Sequence, residues 1–239
     1  MIRIGISGWT YASWRGPVYP RGLPPRDELP FIANRVDTIE INGTFYGPRK
    51  PADYTRWRTV TPDDFVFAVK GPRAVTHTHR LRRARKPLDE FLDSGVFDLG
   101  EKLGPFLWQI PASLHYDPAL IADFLQLLPR TARHALEVRH SSYTNDTFID
   151  QLAEYGVSLV VADSPGLWPC LVSNTTDFVY IRLHGDTDLY ASPYTDEALD
   201  VWADRITEWH RTRDVYVYLD NTMEAHAPHD AERLIKRLR

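Results

Sequence analysis

Eight short apolar runs rich in β-branched residues recur along the 239-residue chain, with helical or loop-forming stretches between them. They are Ile2–Ser7, Thr38–Asn42, Phe65–Lys70, Phe106–Gln109, Ala135–Arg139, Ser158–Asp163, Phe178–His184 and Val215–Asp220. Strands that alternate with helices must run parallel and be joined by right-handed crossovers. Eight such units in a chain of this length predict an α/β fold, a single (β/α)8 barrel of the TIM type spanning residues 1–239 as one domain. A doubly wound open sheet is the competitor. Against it, no G-x-G-x-x-G follows the first strand, and strands continue to the end of the chain.

The intervening segments carry helix signals. Asp117-Pro118 offers an N-cap and a proline at N1 ahead of Leu120, Ile121, Phe124, Leu125 and Leu128. Asn145 can cap a helix bearing Phe148, Ile149 and Leu152, with Gly156 at its stop. Thr195 precedes Asp196 and Glu197, then a stripe of Leu199, Trp202, Ile206 and Trp209. Two units depart from the pattern. The sixth is expected to lack a full helix, because residues 164–176 are rich in Pro, Gly and Asn. The third carries a long excursion from Gly71 to Gly104, with helices expected near Pro87–Asp93 and Phe97–Leu103.

A net charge of −4 gives no general attraction to polyanions. Nucleic-acid binding would need the local run Arg80, Arg82, Arg83, Arg85 and Lys86, which reads better as a solvated face. The lone Cys170 rules out an intrachain disulfide and a cysteine zinc site, and is expected to be a buried small hydrophobe. The chain begins Met1-Ile2-Arg3-Ile4, directly in a strand pattern, without signal peptide or membrane-spanning apolar stretch. A cytoplasmic protein without membrane association is expected.

Strand parity then locates a site. Ile39 and Ile41 lie opposite Glu40 and Asn42; Leu136 and Val138 opposite Glu137 and Arg139. Val179, Ile181 and Leu183 lie opposite Tyr180, Arg182 and His184, and Val217 and Leu219 opposite Tyr218 and Asp220. The apolar parity must meet the helices, so the polar parity must point into the barrel. The expected inner ring is Ser7, Glu40, Asn42, Lys70, Gln109, Glu137, Arg139, Asp163, Arg182, His184 and Asp220. It lies at the C-terminal strand ends, where barrel enzymes carry their sites. The plain alternative is a satisfied salt-bridge network, but dehydrating so many charges costs more than an apolar plug would.

Ser7-Gly8-Trp9-Thr10-Tyr11, Trp14, Gly16 and Tyr19-Pro20 resemble the opening signature of the YecE-like proteins, the domain of unknown function 72. So do Glu40-Ile41-Asn42 with Thr44-Phe45-Tyr46, Lys70 with Pro72-Arg73 and Thr76-His77, and Gln109-Ile110-Pro111. Glu137-Val138-Arg139-His140, Arg182-Leu183-His184-Gly185 and Tyr218 through Asn221 complete the resemblance, which covers essentially the whole chain. It implies a TIM-type barrel and brings no settled activity. Gly43 stands where a small polar residue is expected, Tyr143 where a tryptophan is usual, and Asp220 replaces an asparagine.

The leading reading is an enzyme that performs acid/base chemistry on a small anionic substrate, phosphorylated or sugar-containing. Its catalytic set is Glu40, Glu137, Asp163 and His184, with a glutamate as base and His184 as proton donor. Its substrate-binding set is Ser7, Trp9, Tyr11, Asn42, Tyr46, Lys70, Gln109, Arg139, Arg182, Asp220 and Asn221, with Arg139, Arg182 and Lys70 on the anion. Aromatics of the βα loops, among them Trp9, Tyr11, Phe45, Tyr46, Tyr143, Tyr190 and Tyr194, either stack on a ligand or cover the barrel top. No cofactor is expected. A divalent metal on Glu40, Glu137, Asp163 and His184 is the weaker reading, because three cations crowd it, and His77-Thr78-His79 is weaker still. The alternatives are a metal-dependent phosphodiesterase or endonuclease acting on nucleic acid, and a non-catalytic ligand-binding protein. The oligomeric state is open.

Overall fold

The computed structural model describes residues 1–239. Eight parallel strands pair in chain order and the last closes on the first. They are β1 (Ile2–Ser7), β2 (Thr38–Ile41), β3 (Val66–Lys70), β4 (Leu103–Gln109), β5 (His134–Glu137), β6 (Val157–Asp163), β7 (Phe178–Leu183) and β8 (Asp214–Leu219). Around them lie α1 (Pro25–Ala33), the one-turn α2 (Gly43–Tyr46), α3 (Pro51–Thr59), α4 (Arg85–Leu92), α5 (Pro118–Leu125), α6 (Asp146–Tyr155), α7 (Asp196–His210) and α8 (His226–Leu238). This is a (β/α)8 barrel of the TIM type. No helix is long and apolar enough to cross a membrane.

Three of the eight helices start where an N-cap side chain takes up free backbone N–H groups. Asp117 accepts from the amides of Ala119 and Leu120, Asn145 from Phe148, and Thr195 from Ala198. Gly156 ends α6 at φ 67°, a left-handed turn that costs glycine little. The long third excursion contains α4 and a 3₁₀ segment, Val96–Lys102. No helix separates β6 from β7. Cys170 lies in that irregular stretch and is exposed, contrary to the expected burial, because no helix stripe is there to cover it.

Two cores follow from strand parity. The outward apolar side chains of the strands, Ile39, Ile41, Leu136, Val138, Ile181 and Leu219 among them, join the helices in one large cluster. The inward side chains form a second, smaller cluster: Ala68, Leu107, Ala135, Val160, Ala162, Phe178, Tyr180, Tyr216 and Tyr218. The lower barrel is thus plugged by tyrosines and small residues. Tyr180 and Tyr218 lie 4.9 Å apart, ring to ring. Such phenols need polar partners when buried. Tyr218 finds Thr38 Oγ1 at 3.0 Å, and Tyr180 donates upward to Glu40 at 2.7 Å.

Gly5 makes this plug fit. A Cβ there would stand 1.7 Å from the Thr38 carbonyl oxygen on the neighbouring strand, a backbone atom that cannot step aside. Gly5→Ala is expected to lose at least about 1–3 kcal/mol of stability, the range for forcing a methyl into a packed interior. Urea unfolding measures it; a wild-type midpoint would contradict the inward register of Gly5.

Candidate functional site

The upper layer of the barrel interior is ionic. Arg182, from β7, is 1% exposed and every one of its nitrogens is occupied. Nε donates to Glu40 Oε2 at 3.0 Å and Nη1 to Glu137 Oε2 at 2.7 Å. Nη2 donates to Glu40 Oε1 at 2.8 Å and Asp220 Oδ2 at 2.9 Å, and reaches Ser7 Oγ at 3.4 Å. Four strand ends therefore converge on one guanidinium, whose planar fork suits several carboxylates at once. Arg139 donates from Nε to Glu137 Oε1 at 2.6 Å, with its guanidinium 3.9 Å over the Trp168 ring.

Burial alone would push these carboxyls toward the neutral form. Against that burial, Arg139 and Arg182 hold Glu137 well below the usual carboxylate range, and Arg182 with the His184 hydrogen bond does the same for Asp220. Both stay ionised at neutral pH. Asp220 Oδ2 therefore accepts a hydrogen bond from His184 Nδ1 at 2.9 Å, which leaves Nε2 as the second ring nitrogen. Nε2 is buried, 3.8 Å from Glu137 Oε1, and has no hydrogen-bond partner. Trp168 and Tyr190 pack edge-on against the imidazole.

Lys70 ends β3 with its ammonium 4.5 Å from the centre of the Phe45 ring. Burial first, and then Arg182, bring its pKa down from 10.5 to about 8. Gln109 pairs with Glu137 across β4 and β5, at the same level of the barrel. At the mouth, His77 stands edge-on to Phe45. Burial and the nearby cations Lys70, Arg73 and Arg139 lower its pKa to about 4, so this imidazole is neutral at pH 7.

Of the expected ring, Ser7, Glu40, Lys70, Gln109, Glu137, Arg139, Arg182, His184 and Asp220 lie at the upper end of the barrel interior. Asp163 does not. It pairs with outward Leu183, while its neighbour Ala162 pairs with inward Arg182, and it accepts from the Tyr194 hydroxyl at 2.9 Å. Strand β6 carries Ser158 on one parity and Asp163 on the other, so alternation did not single out a polar face. Without Asp163 the four-membered metal set is not assembled, and three carboxylates face three fixed cations. Asn221 is also turned away, donating to the Ser192 carbonyl at 2.9 Å and to Asp230 at 2.8 Å. Trp9, Tyr11, Asn42 and Tyr46 line a separate cleft of about 530 Å³ beside the barrel mouth.

Parity put Tyr180 on the inward face without naming it in the ring, though it supports Glu40 from below, and Trp168, which supports Arg139 and His184, was missed altogether. The first reads as core, and the second lies in a stretch without periodicity. Tyr143 and Tyr194 are buried, Tyr143 against Tyr116 and Phe148 and Tyr194 with its hydroxyl on Asp163. The basic run is not a uniform cationic surface: Arg80 is tied to Ser113, and Arg83, Arg85 and Lys86 share a groove with Asp89, Glu90 and Asp93.

A closed eight-stranded parallel barrel with a buried ionic centre and an unpartnered imidazole at its C-terminal end makes this a TIM-type barrel protein. The family model described as Protein of unknown function DUF72 matches residues 3–239, and the chain belongs to that family. It is 28% identical to the UPF0759 protein YecE of Escherichia coli (strain K12), covering 100% of this chain and 93% of that one. It is also similar to the crystal structure of a DUF72 family protein from Thermotoga maritima, with TM-score 0.83, 26% identity and coverage of 100% and 99%. A xylose isomerase domain protein from Alicyclobacillus acidocaldarius shares the barrel fold at TM-score 0.54 and 13% identity, covering 100% of this chain and 98% of that one.

Removing the hub leaves several buried carboxylates without a counter-charge. Arg182→Met is expected to lose about 3–5 kcal/mol at pH 7, the usual cost of breaking a buried pair. Its pH dependence has a definite sign. In the variant the folded-state carboxyl pKa values rise, so the deficit is largest at neutral pH and narrows as pH falls toward about 4 and the groups protonate. In the wild type the depressed Glu137 and Asp220 contribute stability above the unfolded carboxyl pKa and lose it as pH falls through their folded values. Denaturant titrations of both proteins across this range check it; a pH-independent deficit would sink the ionic account.

Proposed function

We propose that this protein is an enzyme performing acid/base chemistry on a small anionic substrate at the C-terminal end of the barrel. The observation that carries the reading is His184, a buried imidazole oriented through Nδ1 by an ionised Asp220, with Nε2 left without a partner. An imidazole held this way takes a proton at Nε2 and returns it, and the carboxylate stabilises the charged ring. Glu40 and Glu137 serve the reaction differently from the first expectation. Both oxygens of each accept from Arg182, Arg139, Ser7 or Tyr180, so they are held as the counter-charge of Arg182 instead of acting as bases.

The anion-holding role narrows in the same way. Arg182 spends its whole guanidinium on carboxylates, whereas Arg139 uses Nε alone on Glu137 and Lys70 Nζ makes no hydrogen bond. Arg139 Nη1 and Nη2 and the Lys70 ammonium are the groups left for a phosphate or carboxylate. The substrate is then a small acidic metabolite with its reacting carbon or oxygen toward His184 Nε2.

A panel of inorganic phosphate, sulfate and acidic metabolites tests this by thermal melting. A ligand at 100 times its dissociation constant should add about 2.7 kcal/mol, a clear upward shift. Lys70→Met and Arg139→Met should each remove most of that shift. Because Lys70 loses its charge as pH rises through about 8, the shift should be larger at pH 6.5 than at pH 9. If no member of the panel moves the wild-type melting temperature, the anion reading fails.

Three cations share the cavity with the carboxylates, so no stoichiometric metal is expected. Elemental analysis of protein purified without chelator checks this, and about one zinc, manganese or iron per chain would overturn it.

A further inference from the structure

The cleft beside the barrel mouth lies between the loop after β1, α1 and α2 with α3, and the acid/base chemistry does not use it. Its walls hold an unusual set of buried polar atoms. Glu28, on α1, is 2% exposed; its Oε1 receives Arg15 at 3.3 Å while Oε2 has no partner. Trp57, on α3, is 5% exposed and its indole Nε1–H donates to nothing. Asn42 Oδ1 and Arg49 Nε are likewise unpartnered. Of the buried side-chain polar atoms without partners, only His184 Nε2 and Asn221 Oδ1 belong to residues outside this cleft.

Leaving buried polar groups unpaired costs about 1–3 kcal/mol each, and native structures keep few of them. Four around one cavity indicate groups kept for a ligand. Their identities restrict it. The wall sets Arg26, Arg49 and Arg56 against Glu28 and Asp53, so net charge singles out neither sign, and a free carboxylate oxygen beside an indole N–H and a guanidinium N–H suits neither a simple anion nor a simple cation. Two donors beside two acceptors suit a ligand whose neighbouring atoms each donate and accept, as adjacent hydroxyls do. The aromatic surfaces agree: Trp9 is partly exposed, Tyr46 is 81% exposed, and Trp9 and Trp57 meet edge-on at 5.4 Å. Such faces accept the C–H surface of a sugar ring. A volume of about 530 Å³ lies within the range of small-molecule pockets. Gly43 belongs to the design, since a Cβ there would stand 2.6 Å from the Arg49 guanidinium, which donates to the Gly43 carbonyl at 2.8 Å.

We infer that this cleft is a carbohydrate-binding site taking an uncharged mono- or disaccharide, read by Glu28, Asn42, Arg49 and Trp57 and stacked on Trp9 and Tyr46. It stands independently of the anion site. Saturation-transfer NMR and calorimetry on the full chain test it, with glucose, galactose, mannose, xylose, maltose and cellobiose at millimolar concentration and adenosine and guanosine as the nucleoside arm. At least one saccharide should bind, and saturating inorganic phosphate should leave its affinity unchanged. Trp57→Phe keeps the ring and removes the N–H; Glu28→Gln keeps the shape and removes the charge. Each should weaken that saccharide by about tenfold, the loss of one buried hydrogen bond. Circular dichroism and melting confirm that each variant is folded, and if one is not, the other decides. The inference is overturned if no saccharide binds the wild type, if affinity survives in the folded variants, or if a nucleoside occupies the cleft and no sugar does.

Discussion

The Arg182 guanidinium, buried among Glu40, Glu137 and Asp220, is the interaction on which the upper half of this barrel depends. Each of these ions loses several kcal/mol of hydration on burial, and attraction returns that only when geometry is good and every lone pair is used. The geometry is good, and of the six carboxylate oxygens only Asp220 Oδ1 accepts no hydrogen bond in the network. Nε, Nη1 and Nη2 all donate, and the glutamates draw further on Ser7, Tyr180 and Arg139. The carboxylates come from β2 and β5 and from the residue just after β8, while the guanidinium comes from β7. The network therefore ties opposite sides of the barrel and fixes the positions of the ring residues relative to one another.

Below this layer the interior is closed by Tyr180, Tyr216 and Tyr218 with small partners such as Ala68 and Ala135. The tyrosines are large enough to fill the axis yet carry a hydroxyl that must be satisfied. Tyr180 meets that need by donating to Glu40, so the apolar plug and the ionic layer share one hydrogen bond. The plug keeps water from entering from below. A low local dielectric strengthens each charge contact above it and makes an unpaired nitrogen such as His184 Nε2 costly to keep. Such an atom is retained where it has something to do.

The polar mouth is divided. Ions and the imidazole occupy the axis, and most of the exposed aromatic surface lies to one side with Glu28, Arg49 and Trp57. Tyr11 stands at the boundary. Its hydroxyl donates to the Ser7 carbonyl at 2.6 Å, and burial raises its pKa, with Asp220 adding to the effect. It remains a neutral phenol between the two regions. Two chemistries with opposite requirements, charge pairing and sugar-like hydrogen bonding, can then sit side by side without sharing a wall charge.

Alternation was enough to read the barrel and the greater part of its inner ring. Where a strand is polar on one side and apolar on the other, as in β2, β5 and β7, only one register buries the apolar side, so inward residues such as Glu40, Glu137 and Arg182 can be named from the chain alone. The helix starts at Asp117, Asn145 and Thr195 were legible because capping is local chemistry. Tertiary structure decided the rest. Strand β6 has Ser158 on one face and Asp163 on the other, so only its pairing with β7 reveals that Asp163 points outward with Leu183 and not toward the axis. Whether Arg182 serves a ligand or its neighbours depended on how many carboxylates reach it, a matter of distances across the barrel. Trp168, Glu28 and Trp57 come from a loop and two helices far apart in sequence, and no periodicity links them to the residues they meet. Local patterning determines which way a side chain points; what it meets there is set by the closure of the barrel.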